Sequence, residues 1–409
     1  MATQSVEALT ADPFDVSRAA LYRDDVWQAP FRTLRAEAPV HYVPHSDYGP
    51  YWSVSTYKGI VEVESLPDLY SSEAGGITIA DFQEGRDVRM PMFIARDRPV
   101  HTAQRRTVAP AFTPSEMTRM SGDIRRRTAD ILDSLEWNTP FDWVDTVSVE
   151  LTTQMLAILF DFPWEDRRKL TFWSDWAGDI ELVKTEELRQ QRLVHMFECG
   201  AYFQNLWNAK VGKEPTPDLI SMMIHSDAMR EMDHHEFIGN LILLIVGGND
   251  TTRNSMSALA YGLDCFPDAR AKLEGDPSLI PNATQEILRW QTPLAHMRRT
   301  ATADTELMGQ TIRAGDKLAL WYISANRDET MFEDADTIRV DRPNARRHLA
   351  FGHGIHRCVG ARLAELQIGI LLEEMAKRRM RVNVLGEPER VAACFVHGYR
   401  KLPVEISKY

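Results

Sequence analysis

Apolar positions recur at helical spacing over much of residues 114–275, but they gather in short aromatic and β-branched runs nearer the two ends of the chain. Residues 40–57, VHYVPHSDYGPYWSVSTY, carry two such runs around Asp47, Gly49 and Pro50 and predict a hairpin. Residues 71–95 mix glycine, polar groups and isolated apolar side chains and predict a long loop of the functional kind. Strand-like alternation returns at 306–323, with a turn at 314-AGD-316, and residues 324–350 are polar and irregular. A helix follows from 359 to about 378, and 380–409 alternates as short strands. The expectation is a mainly α protein with a small β region. No internal repeat, low-complexity stretch or Pro/Gly/Ser-rich linker divides it.

The longest predicted helix, 233-DHHEFIGNLILLIVGGNDTTRNSMSALAYGLDC-265, is also the oddest. Asp233 and Glu236 stand three apart before an apolar run, as in a capping box, and Pro267 marks the far end. Some 30 residues at 1.5 Å each reach roughly 45 Å, enough to cross a domain. Yet the centre carries Gly247 and Gly248, each costing roughly 1 kcal/mol against alanine, followed by Asp250 and two threonines. One reading is a groove. The glycines admit something close to the backbone, Thr251 turns its hydroxyl onto the Gly247 carbonyl, and an acid beside an alcohol relays protons. The other is a kink at a packing crossover, and the segment alone leaves both open.

Length and composition are those of an ordinary globular protein, 409 residues with 44% hydrophobic and 26% charged. Length alone is compatible with two or three domains. A net charge of −12 argues against a general nucleic-acid binder. Cys199, Cys265, Cys358 and Cys394 form no CxxC pair, which fits a reducing cytosol better than a disulfide framework. The N-terminus lacks the pattern of a signal peptide, and the most apolar run, Leu241 to Val246, is too short to span a bilayer. A cytoplasmic protein without a membrane span is expected.

Within this sparse cysteine usage, Cys358 stands out in 348-HLAFGHGIHRCVGARLAEL-366. It follows a turn built on Gly352 and Gly354 and precedes a helix whose Val359, Leu363, Leu366 and Ile370 form one apolar face. A helix N-terminus and free amides favour thiolate there. A single thiolate suits a metal already held by something else, and cysteine is a known axial ligand of haem iron. Zinc held with His348, His353 or His356 matches no common structural spacing. A structural cysteine needs none of these surroundings. Two charged pairs sit at helical spacing, Glu286 with Arg289 and His101 with Arg105. Alone each reads as a solvated surface pair.

The string 351-FGHGIHRCVG-360 matches every fixed position of F-G-x-G-x-[HR]-x-C-x-G, the haem signature of the cytochrome P-450 superfamily, which the chain therefore resembles. GGNDTT at 247–252 resembles that family's oxygen-binding motif. Glu286 and Arg289 resemble its E-x-x-R pair, with Arg342 as third member. These motifs cover residues 97–398. The resemblance implies the cytochrome P-450 fold, one triangular domain over 1–409 with a short flexible segment at about 1–12, enclosing haem b. It implies Cys358 as axial thiolate, and His101, Arg105, Arg299 and His356 as holders of the propionates, with Phe351 and Gly360 beside the ring. Arg298 is an equal candidate for the part of Arg299. Asp250 and Thr251 become the acid–alcohol pair beside Gly247 and Gly248. Substrate displaces water from the iron, two electrons and two protons arrive, dioxygen is split, and hydroxyl is inserted. Because both acid and alcohol are present, reductase-driven monooxygenation is expected rather than peroxide use.

The resemblance to soluble bacterial members further implies electrons from NAD(P)H through a flavin-dependent ferredoxin reductase and an iron–sulfur ferredoxin. Arg105, Arg106, Arg125, Arg126, Arg127, Arg346, Arg347, Arg357 and Arg362 are candidates for a patch steering that acidic partner, against a reading as scattered solvated arginines. The expected substrate wall is apolar: Ile77, Ile79, Leu243, Val246, Leu294, Met297, Phe395 and Val396. GGNDTTRNSMS, TPLAHMRRTA and FVHGYRKLPV together resemble the subfamily that hydroxylates the terminal carbon of n-alkanes and medium- to long-chain fatty acids. The alternatives are a bulkier terpene or steroid substrate and a non-catalytic haem sensor. Arg86 and Arg89 are read as solvated loop charges rather than carboxylate ligands, and His296 as a structural group rather than a substrate contact.

Overall fold

The computed structural model describes residues 12–179 and 185–409. The expected N-terminal segment lies outside them apart from Asp12, whose carboxylate meets His41 at 3.0 Å. The helices in chain order are α1 (Ala19–Arg23), α2 (Gln28–Glu37), α3 (Tyr57–Glu64), α4 (Val100–Val108), α5 (Pro114–Asp133), α6 (Glu150–Phe160) and α7 (Arg168–Gly178). There follow α8 (Glu186–Lys210), α9 (Leu219–Ile224), α10 (His234–Cys265), α11 (Pro267–Gly275), α12 (Ile280–Gln291), α13 (Tyr322–Ala325) and α14 (Ala361–Lys377). The strands are β1 (Val40–Val43), β2 (Tyr51–Val54), β3 (Tyr70–Ser71), β4 (Phe141–Asp142), β5 (Met297–Ala301) and β6 (Thr305–Leu307). They continue with β7 (Gln310–Ile312), β8 (Lys317–Leu320), β9 (Met380–Val384), β10 (Glu389–Arg390), β11 (Tyr399–Lys401) and β12 (Pro403–Lys408).

The predicted hairpin at 40–57 is β1–β2, and it opens a five-stranded sheet ordered β1-β2-β8-β5-β3. Only β2 and β8 run parallel in it. Residues 71–95 form the expected long loop, broken by one short turn at Phe93–Ala95. The tail pairs β12 with β9 and β4.

Helix α10 runs unbroken through its glycines. Asp233 caps it, accepting from the amides of His235 (2.8 Å) and Glu236 (2.9 Å). The second half of the expected capping box is absent, because Glu236 turns to accept from Gln104 Nε2 of α4 at 2.8 Å. Phe237 to Ile245 of α10 join one hydrophobic core with α5 to α9, and Met256 to Leu263 join another with α12, α14, β9 and β12. The polar stretch 247–255 lies between the two. No helix among the described residues is long and apolar enough to cross a membrane.

Candidate active site

The two glycines of α10 do different work. A Cβ on Gly248 would lie 2.6 Å from Leu156 Cδ2, so this residue lets α6 pack against the helix. Gly247 has nothing within 4 Å of such an atom, so it opens the helix onto a cavity of about 860 Å³. Thr251 donates to the Gly247 carbonyl at 3.1 Å, as its sequence position implies. Asp250 lines the same cavity but is held by other partners. Its carboxylate is buried and accepts from Ser174 Oγ (2.8 Å), Arg253 Nη2 (3.1 Å) and Asn249 Nδ2 (3.3 Å). Burial pushes this carboxyl above its ordinary range, while Arg253 pulls it down. Arg253 also reaches Asp175, half of whose side chain is exposed. A buried acid is thereby linked to the surface.

Across the cavity, the loop from Phe351 to Gly360 delivers Cys358. Gly352 and Gly354 adopt φ of +68° and +63°, where a side chain is strained. At Gly354 a Cβ would also lie 2.2 Å from the Glu64 carbonyl oxygen. The Cys358 amide donates to the Phe351 carbonyl at 2.8 Å and closes the loop. The sulfur sits deep within the protein yet is accessible from the cavity. Burial pushes its thiol up, and the Gly360 amide, Arg105 and Arg357 pull it down. Gly360 then starts α14 and packs against Phe112. Among the described residues no group of three or more His, Cys, Asp or Glu is placed to hold a metal ion.

Between these walls lies a cluster of basic groups. His101 and Arg105 share one face of α4, and the rings of His101 and His356 are 4.2 Å apart. Both nitrogens of His101 and Nδ1 of His356 are buried without a partner among the described residues, while His356 Nε2 meets Ser72 Oγ at 3.1 Å. Burial and then Arg105 lower His101 to about 4, and burial and then Arg299 lower His356 further. Successive residues of β5 point to opposite faces. Arg299 accordingly turns toward this cluster and bonds Glu64 Oε1 at 2.9 Å, whereas Arg298 turns to Asp81 at 2.7 Å. Glu64 also accepts from Tyr322 Oη (2.6 Å) and the His353 amide (2.8 Å).

Glu286, Arg289 and Arg342 form a fully buried network rather than surface pairs. The Glu286 carboxylate accepts from Arg289 at 2.8 Å and from Arg342 at 2.9 Å. Arg289 donates onward to the Asn326 carbonyl at 2.7 Å, and the Asn326 side chain accepts from the Leu349 amide at 2.7 Å. The network therefore braces the segment leading into the cysteine loop.

Ile77, Leu243, Val246, Leu294, Met297, Phe395 and Val396 all line the cavity. Ile79 does not. Its backbone is pinned by Lys317 on its carbonyl (3.0 Å) and by His296 Nε2 accepting from its amide (3.2 Å), which turns the side chain into the core beside Ala295 and Trp321. His296 is itself fully buried, its Nδ1 donating to the Cys394 carbonyl at 2.7 Å. Arg86 is exposed and pairs with Glu186, whereas Arg89 lines the cavity and lies 4.4 Å over the Phe82 ring. Sequence reasoning missed Glu64, Tyr322, Ser72, Ser174 and Arg192. The last lines the cavity from α8 and donates to the Trp176 and Ala177 carbonyls. None of them carries a local signal, since each gains its part from a distant contact.

Residues 278–379 match the family described as Cytochrome P450. Linalool 8-monooxygenase of Pseudomonas putida is 35% identical over 95% of this chain and 98% of its own length. Methyl-branched lipid omega-hydroxylase of Mycobacterium tuberculosis is 33% identical over 93% and 91%. The chain belongs to the cytochrome P450 family, and it is a P450 monooxygenase. Among solved structures, CYP153D17 from Sphingomonas sp. PAMC 26605 is 84% identical with a TM-score of 0.94, over 97% of this chain and 100% of that one. Cytochrome P450-153 from Novosphingobium aromaticivorans is 63% identical with a TM-score of 0.92, over 97% and 100%. The family implies a haem-thiolate cofactor, and the residues present fit one. A lone accessible sulfur faces an open helix groove, and partnerless imidazole nitrogens and arginines stand ready for anionic groups at the side.

Proposed function

We propose that this monooxygenase hydroxylates the terminal carbon of an apolar linear substrate, an n-alkane or a medium- to long-chain fatty acid. The observation that carries the reading is the cavity wall. Leu243, Val246, Leu294, Met297, Phe395, Val396 and Ile77 present hydrocarbon from four separate segments. Each methylene buried there contributes about 0.8 kcal/mol. A terminal methyl has a stronger C–H bond than its neighbouring methylenes, so the wall has to hold the chain end-on for geometry to prevail. The relative named as an omega-hydroxylase supports this. Relatives named for linalool and for steroid C26 support the second reading, a bulkier terpene or steroid.

When bound, haem b supplies an iron that activates dioxygen for insertion of one oxygen atom into a C–H bond, its thiolate ligand favouring O–O cleavage. In this reading Cys358 gives the thiolate, and His101, Arg105, Arg299 and His356 hold the propionates, with Phe351 and Gly360 beside the ring. Arg299 takes that part in preference to Arg298, because it turns from β5 toward His101 and His356 while Arg298 turns to Asp81. Thr251 holds a proton at its hydroxyl in the groove left by Gly247. Arg253 ties the Asp250 carboxylate to the half-exposed Asp175, so Asp250 would exchange its proton with the surface when it lets go of Arg253. An intact acid–alcohol pair speaks for catalysis over a sensor.

Electrons come from NAD(P)H through a flavin-dependent reductase and an iron–sulfur ferredoxin. Arg106, Arg346, Arg347, Arg357 and Arg362 are exposed around the cysteine loop, with no acidic partner among the described residues. The docking patch is smaller than the sequence implies, because Arg125 pairs with Glu373 and Glu374, and Arg126 and Arg127 with Asp123.

Absorbance titration of ferric protein with fatty acids, n-alkanes and a terpene, followed by product analysis, tests the reading. A spin shift that depends on chain length, with a terminal alcohol as product, supports it. A shift with the terpene alone overturns it in favour of the second reading.

A further inference from the structure

We propose that Glu64 is a positioning residue for the haem, a buried carboxylate that offsets the charge of Arg299 and ties the propionate side of the site to the loop carrying Cys358. The proposal rests on the assignment of Arg299 to that side. Glu64 ends α3, and its side chain is 1% exposed. Three segments converge on its two oxygens. Arg299 Nη2 of β5 and Tyr322 Oη of α13 donate to Oε1 at 2.9 and 2.6 Å, and the His353 amide of the cysteine loop donates to Oε2 at 2.8 Å. The grip extends to the backbone, since Gly354 passes so close to the Glu64 carbonyl that only glycine fits.

The electrostatic setting makes the carboxylate more than a brace. Arg105, Arg299, His101 and His356 all line the cavity, and Arg98 lies near enough to act on both histidines. The other acids nearby are committed elsewhere: Asp97 to Ser71 and the Ser72 amide, and Glu73 to Arg96. Burial disfavours a charged Glu64, and Arg299 first, then Tyr322 and the His353 amide, oppose this. Charges in such a place act at low dielectric and are felt strongly by a neighbouring redox centre.

The test is the ferric–ferrous midpoint potential of haem-loaded variants, read by spectroelectrochemistry. Arg299→Gln removes a positive charge and lowers the potential. Glu64→Gln removes the opposing negative charge and raises it. The double variant returns near the parent value, because the pair is neutral as a unit. Tyr322→Phe removes a donor that favours the charged carboxylate and shifts the potential upward, as Glu64→Gln does but by less; it serves if Glu64→Gln does not fold. A purely structural Glu64 would cost stability without a signed, cancelling shift. If Arg299→Gln lowers the potential while Glu64→Gln and Tyr322→Phe leave it unchanged, the role of Glu64 is refuted and the propionate assignment stands. If none of the variants moves it, both fall.

Discussion

A Cβ placed on Gly178, the last residue of α7, would lie 2.5 Å from Oδ2 of Asp250. The glycine is what lets α7 close over the buried carboxylate. Gly178→Ala has to push Asp250 aside, away from Ser174 and Arg253. The expected result is a several-fold fall in product formed per dioxygen consumed, with substrate affinity little changed, measured by oxygen uptake against product yield. Undiminished yield would show that the position of this carboxylate is unimportant.

Thr251 donates to Gly247 in the same groove. Thr251→Ala should bind substrate normally but divert electrons to hydrogen peroxide, whereas Thr251→Ser should retain coupling. Peroxide assayed against reduced nicotinamide consumed decides the matter, and a fully coupled alanine variant would rule out the proton-holding role.

Glu286 faces two arginines with no solvent to replace it. Glu286→Ala leaves both uncompensated and should cost about 3–5 kcal/mol, the usual penalty for breaking a buried pair from one side. Urea unfolding checks the magnitude. Because Arg289 also holds Asn326, and Asn326 the Leu349 amide, haem incorporation should fall with it.

Ile77 and Ile79 differ by two positions but face different surroundings. Ile77→Ala enlarges the cavity and should lengthen the preferred substrate chain with little loss of stability. Ile79→Ala empties core space and should cost about 2–5 kcal/mol while leaving chain-length preference alone. Spin-shift titrations and thermal melts on the same two proteins separate these outcomes.

His296 introduces a pH dependence. Burial holds its imidazole neutral, lowering it to about 4 from an ordinary value near 6.5. The unfolded chain therefore takes up this proton first. The contribution of His296 is fully present above about pH 6.5 and is lost as pH falls toward 4, an order of 3 kcal/mol over that window. His296→Asn should flatten the slope of stability between pH 6.5 and 4 in denaturant titrations.

How much of this was legible in the sequence follows from where the constraint lies. Cys358 with Gly352 and Gly354 was legible because a tight loop dictates residue type at fixed spacing. Glu286 and Arg289 were visible as a pair, but their burial was not, since it depends on the segment 326–342 folding over α12. Arg298 and Arg299 could not be told apart until β5 had neighbours, because adjacent strand residues differ only in the face they take. Ile79 failed as a wall residue because a loop keeps no period. Glu64 was invisible, as all three of its side-chain contacts come from more than 200 residues away.

From Gly247 to Ser255, α10 carries nine consecutive residues without an aliphatic or aromatic side chain, set between two separate hydrophobic cores. The cavity opens at this polar stretch and is walled mainly by the core that α10 enters with Phe237 to Ile245, while α5, α6 and α14 also run from one core to the other. A prosthetic group bound in this cavity would stabilise the folded chain by mass action. A chain made without it should melt at a lower temperature by calorimetry than a loaded chain. Cofactor loading would then double as protection, since a more stable folded chain opens less often to proteases.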